Sequence, residues 1–333
     1  MKGTSIVFAA HDTIRLQEIE LDPATLAPDE AIVRNLYSIV SAGTELACLK
    51  DQEPAWFRFP QSPGYIAVGE VAATGAAVTG VRVGQRVRYG GQHQAYNRRK
   101  AAELAPLDDD VDPKTALLAS MASIAFQGLR ASDIELGDHV GVIGLGVVGN
   151  LAAQLARLQG AYVIAMDLSD FRVGKAVACG LDGAVVASPA GNRPAVDAFT
   201  GGAGLHCLIE ASGSPRALMG NLDLLRRGGE VVLLGSPRDP LETNVTELLQ
   251  CIHLGRRGGL RLKGACDVRP STPRTFAAEP GRDWKLALRL IGEGRLNVAP
   301  LLTHVARPQE AEAVYRGLQR RGEEYLGVIF DWT

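Results

Sequence analysis

The chain has 333 residues, of which 46% are hydrophobic, 22% are charged and 38 are glycines, a composition typical of a two-domain α/β enzyme and unlike that of disordered or fibrous proteins. The formal net charge is −2 and no basic stripe is present, which argues against nucleic acid as a partner. No apolar run reaches membrane-spanning length and the N-terminus lacks a signal-like segment, so we expect a cytoplasmic protein without a membrane partner.

The first third of the chain consists of short segments of alternating hydrophobicity, such as AIVRNLYSIV and GYIAVGEVAATG, separated by glycine and proline. This pattern predicts a small, mostly antiparallel β domain. From Pro113 onwards a helical segment is followed by fully apolar strands that alternate with helices, which predicts a parallel sheet covered on both faces. After about Lys263 the regular alternation of apolar strands and helices ends and a mixed pattern returns, so we expect the tail to rejoin the first domain. The predicted boundaries are 1–115, 116–262 and 263–333.

A glycine-rich segment, GLGVVG, lies directly between an apolar strand and a helix. In this context the first glycine allows a tight turn, the second lets the backbone approach a pyrophosphate, and the third allows the helix to pack on the strand. Amides at the start of the helix then face the anion. The segment therefore predicts a dinucleotide site formed by Gly144, Leu145, Gly146, Val147, Val148 and Gly149.

An acidic residue, Asp167, ends the next strand, where it can accept hydrogen bonds from the adenosine ribose hydroxyls and repel a 2′-phosphate. The sequence therefore favours NAD(H) over NADP(H). Arg172, one helical turn later, either packs on the adenine or is solvated. Two later strand ends are also glycine-rich and predict contacts with the nicotinamide; they are Ala211, Ser212 and Gly213, and Leu234, Gly235 and Ser236.

The five cysteines are scattered, with no C-x-x-C pair. This spacing argues against a disulfide framework and against a structural zinc lobe.

Several motifs together resemble those of the medium-chain dehydrogenase/reductase superfamily. They are, in chain order, SAGTEL, PGYIAVGEV, GVRVGQRV, GLGVVG, IEASGSPRAL, LRRGGEVVLLG and LLTH. The resemblance covers essentially the whole chain. It implies an α/β protein with a GroES-like catalytic domain split around a Rossmann domain of doubly wound parallel sheet, and assembly as a homodimer or homotetramer.

The zinc ligands of this family are replaced at each matched position. Ala42 stands where zinc members have a cysteine, Tyr65 where they have a histidine, and the third ligand position falls near Ser120. Zinc requires thiolate, imidazole or carboxylate donors, which none of these side chains supplies. The sequence therefore predicts that no metal is bound. It also predicts that the loop at Ser38–Cys48 is retained without its cysteine zinc ligand. Gly43 is expected to allow a tight turn in this loop.

Without zinc, another group must stabilise the charge that forms on the reacting oxygen. Thr44 is expected to keep the family's hydroxyl near the substrate oxygen. Tyr65 either donates its phenol proton or fills the space of the missing imidazole. Glu45 acts either as a general base or as a structural hydrogen-bond acceptor, and His93 either titrates in the active site or packs. Both roles stay open for Tyr65, Glu45 and His93.

The favoured function is a zinc-independent, NAD-dependent oxidoreductase that interconverts a secondary alcohol and its ketone, acting on a small-molecule substrate. The GTE and PGY motifs are similar to those of the bacteriochlorophyllide dehydrogenase-like subgroup, whose members lack zinc. The alternatives are a quinone or enoyl reductase and a cofactor-binding protein without turnover. The aromatic segment Gln52 to Gln61 and segment 267–284 either border the substrate or cover the surface.

Overall fold

The computed structural model describes residues 1–53, 55–188, 192–253, 258–265, 281–320 and 324–333. The chain divides into two units. Unit 1 comprises residues 1–120 and 302–333, and unit 2 comprises residues 121–301. Of the segment 267–284, residues 267–280 lie outside the described ranges.

The strands, numbered in chain order, are β1 Lys2–Ala10, β2 Thr13–Glu20, β3 Glu30–Ile39, β4 Ala67–Thr74, β5 Arg86–Tyr89, β6 Tyr96–Lys100, β7 Ala105–Pro106, β8 His139–Ile143, β9 Tyr162–Asp167, β10 Ala184–Val186, β11 Leu205–Glu210, β12 Leu225–Leu233, β13 Arg261–Gly264, β14 Leu302–Ala306 and β15 Gly327–Asp331.

The helices are α1 Ala42–Leu49, α2 Pro113–Ala131, α3 Val147–Leu158, α4 Asp170–Ala178, α5 Asn192–Thr200, α6 Pro215–Met219, α7 Val245–His253, α8 Arg282–Gly292 and α9 Ala311–Gln319. Short 3-10 segments occur at Pro23–Thr25, Ala101–Glu103, Leu222–Leu224, Ala299–Leu301 and Pro308–Glu310. Among the described helices, none has both the length and the apolar character needed to cross a bilayer.

Unit 1 contains the predicted antiparallel β structure. Its main sheet has the order β14-β15-β3-β4-β5-β7, with β6 also paired to β3, and every pairing except that of β14 with β15 is antiparallel. The carboxyl-terminal strand β15 pairs with β3, which places it in the main sheet of unit 1. A core around Phe8, Tyr315 and Phe330 packs the inner face of α1 and α9 against the sheet.

Unit 2 contains the predicted parallel sheet. Its order is β10-β9-β8-β11-β12-β13, and all its pairings are parallel. The chain runs outward from β8 in one direction and then from β11 in the other, so the strand order reverses between β8 and β11. Ligands of open parallel sheets bind at the carboxyl ends of the strands beside such a reversal. The prediction of an α/β fold with a Rossmann-type sheet is therefore confirmed.

Residues 263–265 and 281–301, which the sequence groups with the tail, lie in unit 2. The reason is local pairing: β13 extends the parallel sheet beside β12, with Lys263 opposite Val232. Helix α8 is also tied to unit 2, because the Arg130 guanidinium of α2 forms a two-point contact with the carboxylate of Asp283. The division of the chain consequently falls within α2 and just before β14.

The loop predicted at Ser38–Cys48 is mostly helical: Ser38 and Ile39 end β3, and α1 begins at Ala42, so the prediction of a loop was wrong for 42–48. Gly43 lies inside this helix, has no left-handed backbone conformation, and a Cβ atom there would meet nothing within 4 Å. A tight turn is therefore not the reason for a glycine at position 43. The first turn of α1 is held instead by the side chain of Glu45, which accepts a hydrogen bond from the backbone N–H of Ser41 at 2.7 Å.

Candidate active site

Three glycines after β8 form a cradle at the start of α3. Gly144 has a φ of +91°, and a Cβ atom there would lie 2.7 Å from the backbone nitrogen of Ser212. A Cβ atom at Gly149 would lie 1.8 Å from the carbonyl oxygen of Gly144, so the helix packs directly on the turn. At Gly146 a Cβ atom would meet nothing within 4 Å. This opening at the amide end of α3 fits the pyrophosphate of a dinucleotide.

The remaining fingerprint residues offer backbone rather than side chains. Leu145 is fully buried, Val147 is buried and begins α3, and Val148 is partly buried. Their apolar side chains pack into unit 2, so the groups available to an anion are their main-chain amides.

The loops that follow β8, β11 and β12 meet at one edge of the parallel sheet. The backbone nitrogen of Ala211 donates to the carbonyl oxygen of Ile143 at 2.8 Å. A Cβ atom at Gly235 would lie 2.3 Å from the nitrogen of Gly213, and one at Gly213 would lie 2.7 Å from the carbonyl oxygen of Ser236. The structure therefore brings together the three segments that the sequence assigns to the cofactor.

The buried carboxylate of Glu210, which sequence reasoning missed, shapes two of these loops. Its side chain accepts hydrogen bonds from the backbone N–H groups of Ser212 at 2.8 Å and Gly213 at 3.0 Å, and from the Ser212 hydroxyl. Its backbone carbonyl accepts from the N–H groups of Leu234 and Gly235. Burial raises the pKa of Glu210, and these hydrogen bonds oppose the rise. The available signal was an acidic residue at the end of a mostly apolar strand.

Asp167 ends β9 and is almost fully buried. Its Oδ2 accepts from the backbone N–H of Leu145 at 2.6 Å, and its Oδ1 accepts from that of Ser169 at 2.8 Å. Arg172 places its Nη1 3.7 Å from the same Oδ2. Arg172 therefore pairs with Asp167 in this structure. Since each carboxylate oxygen can accept two hydrogen bonds, Asp167 keeps acceptor capacity for ribose hydroxyls.

A pocket within unit 1 lies along α1. Thr44 lines it, and its hydroxyl forms no hydrogen bond with any residue in the described ranges. Tyr65 also lines it, is 40% exposed, and donates its phenol proton to the Ser41 Oγ at 2.6 Å. Both hydroxyls therefore border the same space. The full lining is Thr44, Glu45, Cys48, Trp56, Phe57, Gln61, Ser62, Pro63, Gly64, Tyr65 and Gln92.

Glu45 and His93 belong to a buried hydrogen-bond network behind this pocket. Glu45 is 1% exposed and His93 is fully buried. The Glu45 Oε2 lies 3.0 Å from the His93 Nε2 and accepts from the Tyr315 hydroxyl at 2.5 Å. Burial raises the pKa of the Tyr315 phenol well above its usual value, and the neighbouring Glu45 raises it further. Tyr315 therefore remains a protonated donor to this carboxylate.

The network continues to the carboxyl terminus of the chain. The Ser38 Oγ lies 2.7 Å from the His93 Nδ1 and accepts from the Trp332 Nε1 at 2.8 Å. Because a carboxylate only accepts, the hydrogen-bond pattern assigns the ring proton of His93 to Nε2, and Nδ1 then accepts the Ser38 hydroxyl proton. Sequence reasoning did not anticipate Ser38, Tyr315 or Trp332, because they come from β3, α9 and the tail.

The three positions matched to zinc ligands do not form a metal site. The Ala42 side chain has no atom that can coordinate a metal. The Tyr65 hydroxyl donates to Ser41, and the Ser120 hydroxyl donates to the carbonyl oxygen of Ala116. Among the described residues, no three histidine, cysteine, aspartate or glutamate side chains are placed to hold a metal ion. The donor set at these positions does not fit zinc.

Comparison with known proteins agrees with this architecture. The model of the zinc-binding dehydrogenase family matches residues 147–257. The chain is 25% identical to sorbitol dehydrogenase of Halalkalibacterium halodurans over 78% of this chain and 80% of that protein, and 26% identical to L-threonine 3-dehydrogenase of Chromobacterium violaceum over 82% and 83%. The chain is therefore similar in sequence to dehydrogenases of the medium-chain dehydrogenase/reductase superfamily.

Solved structures of this superfamily share the fold of the chain. Galactitol-1-phosphate dehydrogenase from Escherichia coli superposes with a TM-score of 0.81 at 18% sequence identity, over 98% of this chain and 99% of that one. Superfamily relatives named as dehydrogenases support an enzyme of the alcohol oxidoreductase type that uses a nicotinamide cofactor. The glycine cradle of unit 2 fits such a cofactor.

We expect Glu45→Ala to lower the free energy of unfolding by about 3 kcal/mol, because Tyr315, His93 and the Ser41 N–H would lose their shared buried acceptor. Urea unfolding measures this change. The matched control is Glu18→Ala, on the exposed side of β2, which should shift stability by no more than about 0.5 kcal/mol. Equal effects of the two substitutions would show that the network contributes nothing to stability.

Proposed function

We propose that the chain is a zinc-independent, NAD(H)-dependent oxidoreductase that interconverts a secondary alcohol and its ketone by hydride transfer. The observation that carries the proposal is the pairing of the Thr44 and Tyr65 hydroxyls on one pocket whose matched ligand positions hold no zinc donors. Such a pocket can bind and protonate a carbonyl oxygen without a Lewis acid.

A nicotinamide cofactor, which the glycine cradle of unit 2 would hold, would supply the acceptor for the hydride that leaves the carbinol carbon in the proposed oxidation. The Thr44 hydroxyl, unpaired among the described residues, holds the reacting oxygen. The O–H proton passes to the Tyr65–Ser41 hydroxyl pair and then to solvent. Both hydroxyls can rotate, because each can either donate or accept. In the reverse reaction Ser41 then donates to the Tyr65 oxygen, and the Tyr65 proton points towards the substrate.

The buried network gives Glu45 and His93 a positioning role in this proposal. Glu45 spans from α1 to Tyr315 and His93, which fixes the helix that carries Thr44. Full burial of the His93 ring also keeps it from direct contact with a substrate. Of the alternatives left open by the sequence, the structural role is the one supported for both residues.

The preference for NAD(H) rests on Asp167 at the end of β9. Its carboxylate, aligned by two backbone N–H groups, would accept from both ribose hydroxyls and repel a 2′-phosphate. The predicted contacts of segments 211–213 and 234–236 with the nicotinamide remain part of this proposal. From composition and family resemblance we further propose a cytoplasmic homodimer or homotetramer that acts on a small molecule.

A steady-state assay tests this function directly. Enzyme dialysed against chelator should form NADH from a panel of secondary alcohols at the rate of untreated enzyme, because no step uses a metal. Elemental analysis should find no stoichiometric transition metal. Bound metal whose removal abolishes turnover contradicts zinc independence. Activity confined to NADPH and enones indicates an enoyl reductase, and NADH binding without any turnover indicates a non-catalytic protein.

We expect Asp167→Ala to weaken NADH binding about tenfold and to reduce discrimination against NADPH, because hydrogen bonds to a charged acceptor are lost. Fluorescence titration with each cofactor measures both effects. Asp170→Ala, on the exposed first turn of α4, is the control and should leave both affinities unchanged. An unchanged cofactor preference in Asp167→Ala would remove the ribose assignment.

Tyr65→Phe should lower kcat about 100-fold, the usual contribution of a positioned proton donor, while NADH affinity stays within about twofold of the wild-type value. The comparison is Tyr162→Phe, an exposed phenol on β9 of unit 2, which should retain wild-type kcat. Wild-type turnover in Tyr65→Phe would reduce this residue to a packing role.

A further inference from the structure

The unit 1 pocket has a second wall that the proposed chemistry does not use. It is formed by Trp56, Gln61 and Gln92, which we call the amide-aromatic wall. These residues come from the segment after α1 and from the loop before β6, so they are separate from Thr44 on α1. A wall of this kind selects among substrates, because it touches parts of the molecule away from the reacting oxygen.

The two glutamines are fixed so that each keeps a donor group for a ligand. The Gln61 Oε1 accepts from the backbone N–H of Arg58 at 3.2 Å, and the Gln92 Oε1 accepts from the Arg99 guanidinium. The amide nitrogen of neither glutamine has a hydrogen-bond partner among the described residues. Each side chain therefore keeps its amide N–H groups for a ligand, and these donors suit hydroxyl or carbonyl oxygens.

The Trp56 side chain offers an apolar face. It is 53% exposed, and its Nε1 donates to the Glu53 Oε2 at 2.9 Å, so the polar atom of the indole is already occupied. The ring packs edge-on against Phe57, with centroids 6.1 Å apart and an interplanar angle of 86°, and Phe57 is anchored in the core by Phe8. Part of a rigid aromatic surface is therefore left for a ligand.

The described part of the pocket lining carries no cationic side chain. Among the described lining residues there is no lysine, arginine or histidine, and the one ionisable carboxyl group is that of Glu45. The guanidinium of Arg99 is not part of this lining, and it donates to the carbonyl oxygen of Gly90 and to the Gln92 side chain. A phosphate or carboxylate on the substrate would be desolvated here without a cation to pair with.

We propose that this pocket takes a neutral ring-shaped polyol, such as a pyranose or a cyclitol. An apolar face of C–H groups packs on Trp56, and ring hydroxyl oxygens accept from the amides of Gln61 and Gln92. The hydroxyl that reacts lies at Thr44 and Tyr65. This assignment rests on the proposed dehydrogenase function and names its substrate class.

The test compares neutral ring polyols with the matching sugar phosphates and sugar carboxylates, and with 2-butanol as a small alcohol that does not reach the wall. Binding to the full chain with NADH is read by saturation-transfer NMR, and turnover is read by NADH absorbance. Ring polyols should bind at least about tenfold more tightly than their charged counterparts, because the charged groups find no cation.

Two substitutions test the wall itself. Trp56→Ala should raise the KM for the ring polyol about tenfold and leave that for 2-butanol unchanged, since only the larger substrate covers the indole. Gln92→Glu keeps an oxygen for Arg99 but replaces the free donor with an acceptor, and it should weaken ring polyol binding about fivefold. Gln17→Glu, at an exposed position of β2, is the matched control and should change the KM of neither substrate.

The outcomes separate this proposal from the proposed function. Preference for charged sugars, equal effects of Trp56→Ala on both substrates, or no binding of any ring polyol would overturn the substrate class. Ring polyol binding that depends on Trp56 but gives no turnover of any alcohol would support the wall and overturn the dehydrogenase function. Turnover of 2-butanol without a preference for ring polyols would support the dehydrogenase function and overturn the substrate class.

Discussion

The buried carboxylate of Glu45 is the interaction on which unit 1 depends most. It lies at the centre of donors from the start of α1, the loop before β6 and α9, and it extends through His93 and Ser38 to Trp332 near the end of the chain. A buried charge is tolerated only when its hydrogen-bond capacity is filled, so these segments must all be in place together. The position of the Thr44 hydroxyl therefore follows from the assembly of distant parts of unit 1.

Unit 2 uses buried carboxylates in a comparable way. Glu210 and Asp167 each accept from backbone N–H groups of the loops at the carboxyl edge of the parallel sheet. These bonds hold the loops in close packing at Gly144, Gly149 and Gly235, where a side chain would collide with backbone. Gly146 is the open position among them. The shape of the cofactor cradle is thus set by acids that sit at the ends of the strands.

The unit 1 pocket separates the proposed chemistry from the proposed selection of substrate. Hydroxyl groups of Thr44 and Tyr65 lie on the part of the lining contributed by α1 and the segment before β4, and the amide-aromatic wall lies on the rest. The superfamily relatives are named for hydroxyl-bearing substrates of different size and charge. A shared fold with different walls around one reacting position is a simple physical route to such variety.

The sequence by itself determined the features that depend on local pattern. Alternating and fully apolar strands predicted the antiparallel and parallel sheets, and the spacing of Gly144, Gly146 and Gly149 located the cradle, because turn geometry and side-chain period are properties of neighbouring residues. Only the tertiary structure decided that 42–49 is a helix, that 263–265 and 281–301 lie in unit 2, and that Glu45 and His93 are buried with Tyr315. Those outcomes depend on hydrogen bonds and strand pairings between residues far apart in the chain, which no local pattern specifies.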